Sequence, residues 1–337
     1  MMNRPFTLIA CCAAAVLCAC GQKSARVVTF QNLCNPLIRD AFTANPAPMV
    51  ASDGRLYVFC GHDELYDDKP GYEGKYGFNL TEWLCYSTAD MKTWTSHGPV
   101  LKPADFAWSG GEAWPSQCIE ANGKFYFYVT TQCSIHDCKA IGVAVADQPT
   151  GPYKDAIGEA LIRDEMTPNG ASGRWNDIDP TVMIDEDGTP WLCWGGNGTC
   201  FLARLKPNMV ELDSEICKLE MENYVEAPWL YRRNGRYYLV YASMGAGRET
   251  VSYAMAENIL GPWEFKGELT GMAKDSYTIR PGIIDYQGKS YLFYHNASLS
   301  LDGYGPSTGR RSVCVDEFVY KTDGTIRPVD QTEYGTR

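Results

Sequence analysis

The chain has 337 residues, of which 45% are hydrophobic, 12% aromatic and 21% charged. This composition is typical of a folded globular protein and excludes a disordered chain, a collagen and a coiled coil. Its 30 Lys and Arg face 41 Asp and Glu, which gives a net charge of −11. Because nucleic acids are bound chiefly through cations on phosphates, this balance disfavours a nucleic-acid partner and suits an uncharged ligand.

The first residues have the three parts of a secretory signal. Arg4 precedes an apolar run over residues 6–17, and small residues follow this run up to Gly21. A run of this length is too short to span a bilayer as a mature helix. We therefore predict a signal peptide over residues 1–19 that is removed on export.

The end of this signal resembles a bacterial lipobox. Its residues are Leu17-Cys18-Ala19-Cys20-Gly21, in which Cys20 becomes the lipidated first residue of the mature protein. Residues 20–30 are then a tether, and the protein contacts a membrane only through the lipid. The prediction is a lipid-anchored protein of the bacterial cell envelope, on the outer membrane or the periplasmic face. A plain secretory signal is the alternative, and membrane fractionation distinguishes the two.

One sequence unit occurs five times after the signal. Each unit has an entry proline, an apolar run, a turn that ends in glycine, and a run rich in Tyr, Phe and Trp. The entry proline precedes the turn glycine by seven or eight residues in every unit. Asn-Gly, Asp-Gly or Gln-Gly between two such runs predicts a β-hairpin. The turn glycines are Gly54, Gly123, Gly188, Gly235 and Gly288.

A third strand-like stretch follows each hairpin, and a short fourth run follows most of them. Five units of three to four antiparallel strands predict an all-β protein, a five-bladed β-propeller over residues 31–337. The units form one domain, because a ring cannot close with fewer blades. A β-sandwich is the competing architecture, but a sandwich would not repeat the same unit five times.

The residue at the entry of each unit marks the candidate site. In a propeller the first strand of each blade lines the central channel, so equivalent positions converge on one small volume. The side chains that meet there suit a glycosidase. Carboxyl groups would act on the glycosidic bond, an aromatic ring would stack on the sugar, and an amide and a guanidinium would bind its hydroxyls. Ordinary turn chemistry before proline is the alternative explanation. The five residues are Asn45, Trp114, Asp179, Glu226 and Arg280.

A series of motifs extends from about residue 32 to the end of the chain. They are FTANPAPMV, GHDE at residues 61–64, AWPSQCIEANGKFY, NDIDPTVMIDEDG, VEAPWLYRRNGRYYLVYA, RPGIIDYQGKSYLFYHN and RRSVCVDEFVYKTDGTI. Together they resemble glycoside hydrolase family 43, most closely the branch of arabinoxylan arabinofuranosidases and β-xylosidases. The resemblance implies an inverting hydrolase that needs no cofactor. It would release α-L-arabinofuranosyl or β-D-xylosyl residues from plant arabinoxylan or arabinan and so contribute to xylan degradation.

Three acidic residues act in that family, and the resemblance places them on three positions of this chain. The general acid, in a Glu-Ala-Pro motif, falls on Glu226. An Asp in an Ile-Asp-Pro motif, which orients the acid and favours its protonated form, falls on Asp179. The general base, an Asp in an Ala-Asp-Pro motif, falls on Asn45. The chain therefore departs from the family pattern at the base.

The amide at position 45 brings the ordinary mechanism into question. An amide positions a water but does not take its proton at neutral pH, and a general base commonly contributes about 10² to 10⁴ in rate. One explanation is that another carboxylate acts, with Asp40, Asp63 and Glu64 as its neighbours in sequence. The others are that the substrate assists, or that the protein binds sugar without cleaving it. A hydrolase and a sugar-binding propeller are thus the two competing functions.

The resemblance also implies contacts to sugar and to an ion. Trp114 and Trp175 lie beside the pocket motifs and are predicted to stack on sugar rings. Arg310 or Arg311 matches a family arginine that contacts substrate, with a surface arginine as the alternative. His295 matches a family histidine near the propeller axis that is associated with a bound Ca²⁺ or other ion. A hydrogen-bonded core histidine is its other interpretation.

Overall fold

Five antiparallel sheets, each made of strands that follow one another in the chain, account for the fold. Within the described residues there is no α-helix, and two short 3₁₀ turns occur at Pro103–Asp105 and Asp164–Met166. Each sheet corresponds to one repeated unit, so we number the sheets as blades one to five. The computed structural model describes residues 27–32, 34–65, 77–134, 138–167 and 175–336.

The blades contain three to five strands each. Blade one contains β1 (Val28–Gln31), β2 (Thr43–Val50), β3 (Leu56–Asp63), β4 (Leu80–Thr88) and β5 (Thr93–Leu101), with β1 paired to β5. Blade two contains β6 (Ser116–Ala121), β7 (Lys124–Gln132), β8 (Lys139–Ala146) and β9 (Lys154–Asp155). Blade three contains β10 (Thr181–Ile184), β11 (Pro190–Trp194), β12 (Cys200–Arg204) and β13 (Cys217–Leu219). Blade four contains β14 (Tyr224–Arg233), β15 (Arg236–Met244), β16 (Glu249–Ala256) and β17 (Glu264–Thr270). Blade five contains β18 (Gly282–Tyr286), β19 (Lys289–Asn296) and β20 (Ser312–Phe318).

The first strands of the blades form the inner ring. β2 lies against β6 and β18, and β10 lies against β6 and β14. β18 comes close to β2, since a Cβ added at Gly282 would lie 2.5 Å from Cδ of Pro48 and 2.9 Å from the carbonyl oxygen of Pro46. Glycine is therefore needed there for blade five to lie against blade one. This arrangement confirms the predicted five-bladed β-propeller.

The predicted turns are confirmed in all five blades. The turn glycines have φ between +70° and +85°, a region that glycine adopts without steric cost. In three of the turns the residue before the glycine is also left-handed, as at Asn122 and Asn234. Two left-handed residues in sequence give the type I′ geometry that favours tight hairpins.

The chain segment before β2 closes the ring. The backbone N–H of Leu37 donates to the Val313 carbonyl at 2.7 Å, and the N–H of Val315 donates to Oδ1 of Asn35 at 2.9 Å. The Asn35 side-chain amide also donates to the carbonyl of Thr332, at 2.9 Å. The two ends of the propeller are thus both fastened at β20.

Apolar side chains fill the spaces between neighbouring blades. The Phe59 ring of blade one lies 4.9 Å from the Phe127 ring of blade two, between centroids, and Tyr153 lies 5.3 Å from Phe127. β3 and β16 are buried along nearly their whole length. Both faces of each of these strands are therefore covered, and in β16 the buried residues include the polar Thr250 and Ser252.

The structure bears on the N-terminal predictions only in part. The signal peptide over residues 1–19 and the lipidated Cys20 lie outside the described residues and stay predictions. The tether over 20–30 extends too far, because Val28–Gln31 pairs with β5 and places Phe30 opposite Trp94. Among the described residues, no helix has the length and apolar character to cross a membrane.

Candidate active site

A cavity of about 710 Å³ lies where the first strands of the blades begin. One entry residue from each of the five blades lines it, which is the convergence that the repeat predicted. These residues are Asn45, Trp114, Asp179, Glu226 and Arg280. Three further predicted residues also line it, namely Trp175, His295 and Arg311.

The entry segments of blades one, three and four have a strained backbone. Asn45, Asp179 and Ala227 have φ of 56°, 58° and 58°. Asn and Asp tolerate this left-handed region, whereas for Ala it is costly. Each of the three precedes a proline. In blade four the strained residue is Ala227, so the carboxyl group belongs to Glu226, one residue earlier. Strain of this kind is common at functional sites.

Asp179 is firmly fixed beside Glu226. It is buried, and its Oδ2 accepts the backbone N–H of Ala227 at 2.9 Å. Its own backbone N–H donates to Oγ1 of Thr130 at 3.0 Å. Burial raises the pKa of Asp179 to about 6, against the opposing charge of Arg280. The carboxyl group of Asp179 is therefore held in one position beside the entry of blade four.

Glu226 has the properties of a proton donor. It is partly exposed, lines the cavity, and has a pKa well above its usual value. Burial is the largest cause, and the negative charges of Glu249 and Asp179 add to it. A carboxyl group whose pKa is raised in this way is suited to protonate a leaving oxygen.

Glu249 is a third carboxyl group of the cavity, which sequence reasoning missed. It opens β16, is 3% exposed, and accepts the backbone N–H of Ile279 on Oε2 at 3.0 Å. Burial raises its pKa to about 8, and the charge of Asp179 acts in the same direction. A signal was present in the sequence, because a charged residue opens an otherwise uncharged strand. Lys139 opens β8 in the same way and is also buried.

Asn45 lies at the boundary of blades five and one. Its backbone N–H donates to Nδ1 of His295 at 3.2 Å, and its Oδ1 accepts from Nη1 of Arg311 at 3.4 Å. Asp63 binds Arg311 through two bonds, from Nε to Oδ2 at 2.8 Å and from Nη2 to Oδ1 at 2.9 Å. Both partners of this ion pair are buried. Both oxygens of Asp63 are therefore committed to Arg311.

Asp40, Asp63 and Glu64, the three carboxylates suggested as a replacement base, are not among the described residues that line the cavity. Asp63 is bound by Arg311, as above. Asp40 is exposed and accepts the hydroxyl of Tyr86 at 3.2 Å. Glu64 is exposed and lies 3.6 Å from Nδ1 of His62. The structure does not support any of them as the base, because their oxygens face other partners.

His295 is a hydrogen-bonded core histidine. Its Nδ1 accepts the N–H of Asn45, and Nε2, assigned the proton from its partners, donates to the Thr278 carbonyl at 3.0 Å. Burial lowers its pKa well below the usual value, and the charge of Arg311 adds to this effect. The ring is therefore neutral, and neither nitrogen keeps a lone pair for a metal. The structure favours the core interpretation over the predicted ion ligand.

Arg280 occupies the channel at the base of the cavity. Its guanidinium reaches from blade five to the carbonyl oxygens of Ser116 in blade two, at 3.2 Å, and of Pro180 in blade three, at 3.4 Å. Carbonyl oxygens are ligands that Ca²⁺ uses, but here a cationic side chain already binds them. The residues present therefore suit a guanidinium and do not fit a Ca²⁺ at this place.

Trp114 and Trp175 form an aromatic wall. Their ring centroids are 4.8 Å apart with the planes at 86°, and Phe78 lies edge-on to Trp114 at 6.0 Å. The ammonium group of Lys139 lies 4.9 and 4.6 Å from the two tryptophan centroids and pairs with Glu112. Both tryptophans stay partly exposed, so part of each ring faces the cavity.

The two adjacent arginines are separated by the structure. The Arg311 guanidinium lies in the cavity wall, 4.2 Å from the Phe78 ring. Arg310 turns away, and its Nε donates to the Gly305 carbonyl at 3.0 Å beside the Tyr304 ring. Arg310 ends a turn in which its backbone N–H donates to the Ser307 carbonyl at 2.8 Å, and Arg311 lies just before β20. The prediction of a substrate contact therefore fits Arg311 and does not fit Arg310.

Three buried polar atoms of the cavity residues have no hydrogen-bond partner in the part of the chain described. They are Nδ2 of Asn45, Oδ1 of Asp179 and Nε of Arg280. A buried donor or acceptor left unpaired costs about 1 to 3 kcal/mol. Two donors and one acceptor at the bottom of a cavity suit a ligand with several hydroxyl groups.

Comparison with known proteins identifies the family. The model of the glycosyl hydrolases family 43 matches residues 34–326. An arabinoxylan arabinofuranohydrolase of Paenibacillus polymyxa is 27% identical, over 88% of this chain and 51% of that protein, so the chain spans about half of that relative. A xylosidase/arabinosidase of Bacteroides ovatus is 28% identical, over 87% of this chain and 97% of that protein.

A solved structure has the same fold. It is a β-xylosidase/α-arabinofuranosidase from a compost microbial metagenome, in complex with xylotriose and in a calcium-free form. Its TM-score is 0.77 at 25% identity, covering 90% of this chain and 98% of that chain. Together with the family match over residues 34–326, this shows that the chain belongs to the glycosyl hydrolases family 43.

Proposed function

We propose that this protein is an inverting glycoside hydrolase that releases α-L-arabinofuranosyl or β-D-xylosyl residues from plant arabinoxylan or arabinan. The observation that carries the proposal is the pair of Glu226 and Asp179 on neighbouring first strands of one cavity. Burial and adjacent negative charge raise the pKa of Glu226, which acts as the general acid. Asp179 positions it and favours its protonated form.

The remainder of the cavity supports a sugar ligand. Trp114 and Trp175 offer ring surface to the apolar face of a pentose. The unpaired atoms of Asn45, Asp179 and Arg280 offer hydrogen bonds to its hydroxyls. An uncharged polysaccharide also suits a chain with a net charge of −11.

The choice of sugar is supported by the relatives. Two of them are named for arabinoxylan or for xylose and arabinose, and the solved neighbour holds xylotriose. Pentose-containing plant polysaccharide is therefore the substrate class that we propose for this chain.

The test is Glu226→Gln, which keeps the side-chain size and removes the acidic proton. On arabinoxylan oligosaccharides we expect kcat to fall by about 10² to 10⁴, the usual contribution of a general acid. On a 2,4-dinitrophenyl glycoside, whose leaving group needs little protonation, the fall should be much smaller. Glu222→Gln, at an exposed position four residues earlier, is the matched control.

Two results would contradict the proposal. The first is unchanged turnover of oligosaccharide by Glu226→Gln. The second is a product released with retained anomeric configuration, as followed by NMR during the first minutes of hydrolysis.

A sugar-binding propeller is the second candidate, and the amide of Asn45 at the base position favours it. It predicts saturable binding of xylotriose or arabinoxylan oligosaccharides with no reducing sugar released on long incubation. Calorimetry and product analysis on the same protein sample decide between the two functions.

A further inference from the structure

Inverting hydrolysis needs a carboxylate to take the proton of the attacking water, and the amide of Asn45 does not supply one. The described cavity is lined by four carboxyl groups, and Glu249 is the one left without a role by the proposed mechanism. We propose that Glu249 is the catalytic base of this site, taking the proton of a water that Asn45 holds. This inference rests on the hydrolase function proposed above.

The other three carboxyl groups of the cavity have roles or partners that exclude them. Glu226 is the acid. Asp179 accepts the N–H beside that acid and lies on its blade-three side. Glu112 stands at the rim, paired with the Lys139 ammonium and accepting Nε1–H of Trp114 at 2.7 Å.

The position of Glu249 in the ring suits a base. Its residue opens β16 in blade four, and its Oε2 is held by the N–H of Ile279 at the entry of blade five. Glu249 therefore lies on the blade-five side of Glu226, opposite to the side of Asp179. Onwards around the ring, the cavity is lined by residues 277–280 and His295 of blade five and then by Asn45 of blade one. Glu249 thus stands between the acid and position 45.

Asn45 is suited to hold the water. Its Nδ2 is a buried donor with no partner in the described residues, while its Oδ1 is turned to Arg311. Nδ2 donates to one lone pair of the water oxygen, which leaves the second lone pair for attack and both water protons free to be donated. One of those protons is then directed to the carboxylate of Glu249.

The step balances without another reactant. The water oxygen forms a bond to the anomeric carbon, and the glycosidic C–O bond breaks with its electron pair going to the leaving oxygen. That oxygen takes the proton of Glu226, and Glu249 takes a proton from the water. After turnover the proton is on Glu249 and the charge is on Glu226, so transfer of one proton between the two groups through the water of the cavity restores the starting state.

The surrounding charges allow this cycle. The charge of Glu249 is the largest electrostatic cause that raises the pKa of Glu226, which favours the return of the proton to the acid. Burial raises the pKa of Glu249 to about 8 and the charge of Asp179 adds to this, while the Ile279 N–H and the charge of Arg311 lower it. Glu249 therefore acts as the base when the proton of the pair is on Glu226. The two carboxyl groups share one proton, as in other close carboxyl pairs.

The experiment uses Glu249→Gln on the full chain with 4-nitrophenyl α-L-arabinofuranoside and 4-nitrophenyl β-D-xyloside. These substrates have a good leaving group, so their hydrolysis depends mainly on the base. We expect kcat to fall by about 10² to 10⁴. Sodium azide should restore turnover of the variant and give a glycosyl azide of inverted configuration, because azide attacks without a base. Glu268→Gln, exposed on β17 of the same blade, is the matched control.

A second variant tests the same idea in another way. Asn45→Asp introduces a carboxylate at the family's base position, so it should restore hydrolysis in the Glu249→Gln background. In the wild-type background it should raise kcat less than tenfold, since a base is already present. The comparison of Asn45→Asp with the wild type does not depend on the folding of the Glu249 variant. The folding of Glu249→Gln is checked by its melting temperature and by xylotriose binding.

The outcomes separate this inference from the proposed function. A Glu249→Gln variant with kcat within threefold of the wild type overturns the inference alone. A folded variant that loses activity and regains none with azide or Asn45→Asp also overturns it. The inference is also overturned if Asn45→Asp alone raises kcat by several orders of magnitude, because the wild type would then lack a base. A wild-type protein that binds xylotriose and cleaves no substrate overturns the proposed function as well.

Discussion

Asp63→Asn is expected to remove about 3 to 5 kcal/mol from the free energy of unfolding, the usual cost of breaking a buried ion pair. The Arg311 side chain is 3% exposed and that of Asp63 is fully buried. Asp63 accepts three hydrogen bonds from Arg311, two from the guanidinium and one from the backbone N–H at 3.0 Å. In Asp63→Asn, the side-chain NH₂ group would face the N–H groups of Arg311, which are also donors. The buried guanidinium would then have no counter-charge.

Urea titration followed by tryptophan fluorescence measures this loss, with the melting temperature as a second readout. The expected change corresponds to a fall of roughly 5 to 8 °C in melting temperature, at an unfolding entropy of about 2.1 cal/mol/K per residue over about 300 residues. Asp147→Asn is the matched control, since Asp147 pairs with Lys124 at 3.0 Å but its side chain is 83% exposed. An exposed pair contributes about 0 to 1 kcal/mol, so the control should change little.

A double variant isolates the cause. If the loss comes from an unpaired buried charge, adding Arg311→Met to Asp63→Asn should recover part of the stability, because an apolar side chain needs no counter-charge. The reasoning is refuted if Asp63→Asn behaves like Asp147→Asn, or if Arg311→Met lowers the stability further.

Two other predictions concern the acid and the channel. Asp179→Asn removes a charge that raises the pKa of Glu226, so the basic limb of the kcat profile should move to lower pH. For each pH unit by which the pKa of Glu226 falls below the assay pH, the protonated fraction of Glu226 falls about tenfold. A basic limb at the same pH in Asp179→Asn and the wild type would contradict the role of Asp179. Treatment with EDTA followed by gel filtration should leave kcat and melting temperature unchanged, because the Arg280 guanidinium binds the two channel carbonyls. A loss that CaCl₂ restores would show that this view of the channel is wrong.

The fold was predictable because its information is local and repeated. Each hairpin is encoded by a proline, two apolar runs and a turn glycine with positive φ, as at Gly123, and five copies left little choice of architecture. The N-terminal boundary was less predictable. Val28–Gln31 joins the outer edge of blade one by pairing with β5, and a strand of four residues is too short to carry a distinctive pattern.

The candidate site was predictable where it depends on equivalent positions of the repeat. Asn45, Asp179 and Glu226 converge because they open inner strands of the same ring. Contacts between distant segments were not predictable. Arg311 and Asp63 are 248 residues apart in the chain, and only the closure of blade five against blade one brings them together.

Glu249 shows a different limit of sequence reasoning. The first residues of the third strands differ in every blade, so no repeated motif directs attention to them. The hairpin geometry nevertheless returns each third strand to the cavity end of the ring. A charged residue that opens such a strand is therefore placed where the first strands begin, as the buried Glu249 and Lys139 both show.

The energetic cost of the cavity favours catalysis over binding alone. Raising the pKa of Asp179 from 3.8 to about 6 corresponds to about 3 kcal/mol of unfavourable burial. The pKa values of Glu226 and Glu249 are raised as well, so the site keeps three carboxyl groups under conditions that destabilise their charged forms. Hydroxyl and amide side chains would bind sugar hydroxyls without this cost. Proton transfer, in contrast, is served by carboxyl groups whose pKa values are raised above the ordinary range, and burial raises the pKa of all three.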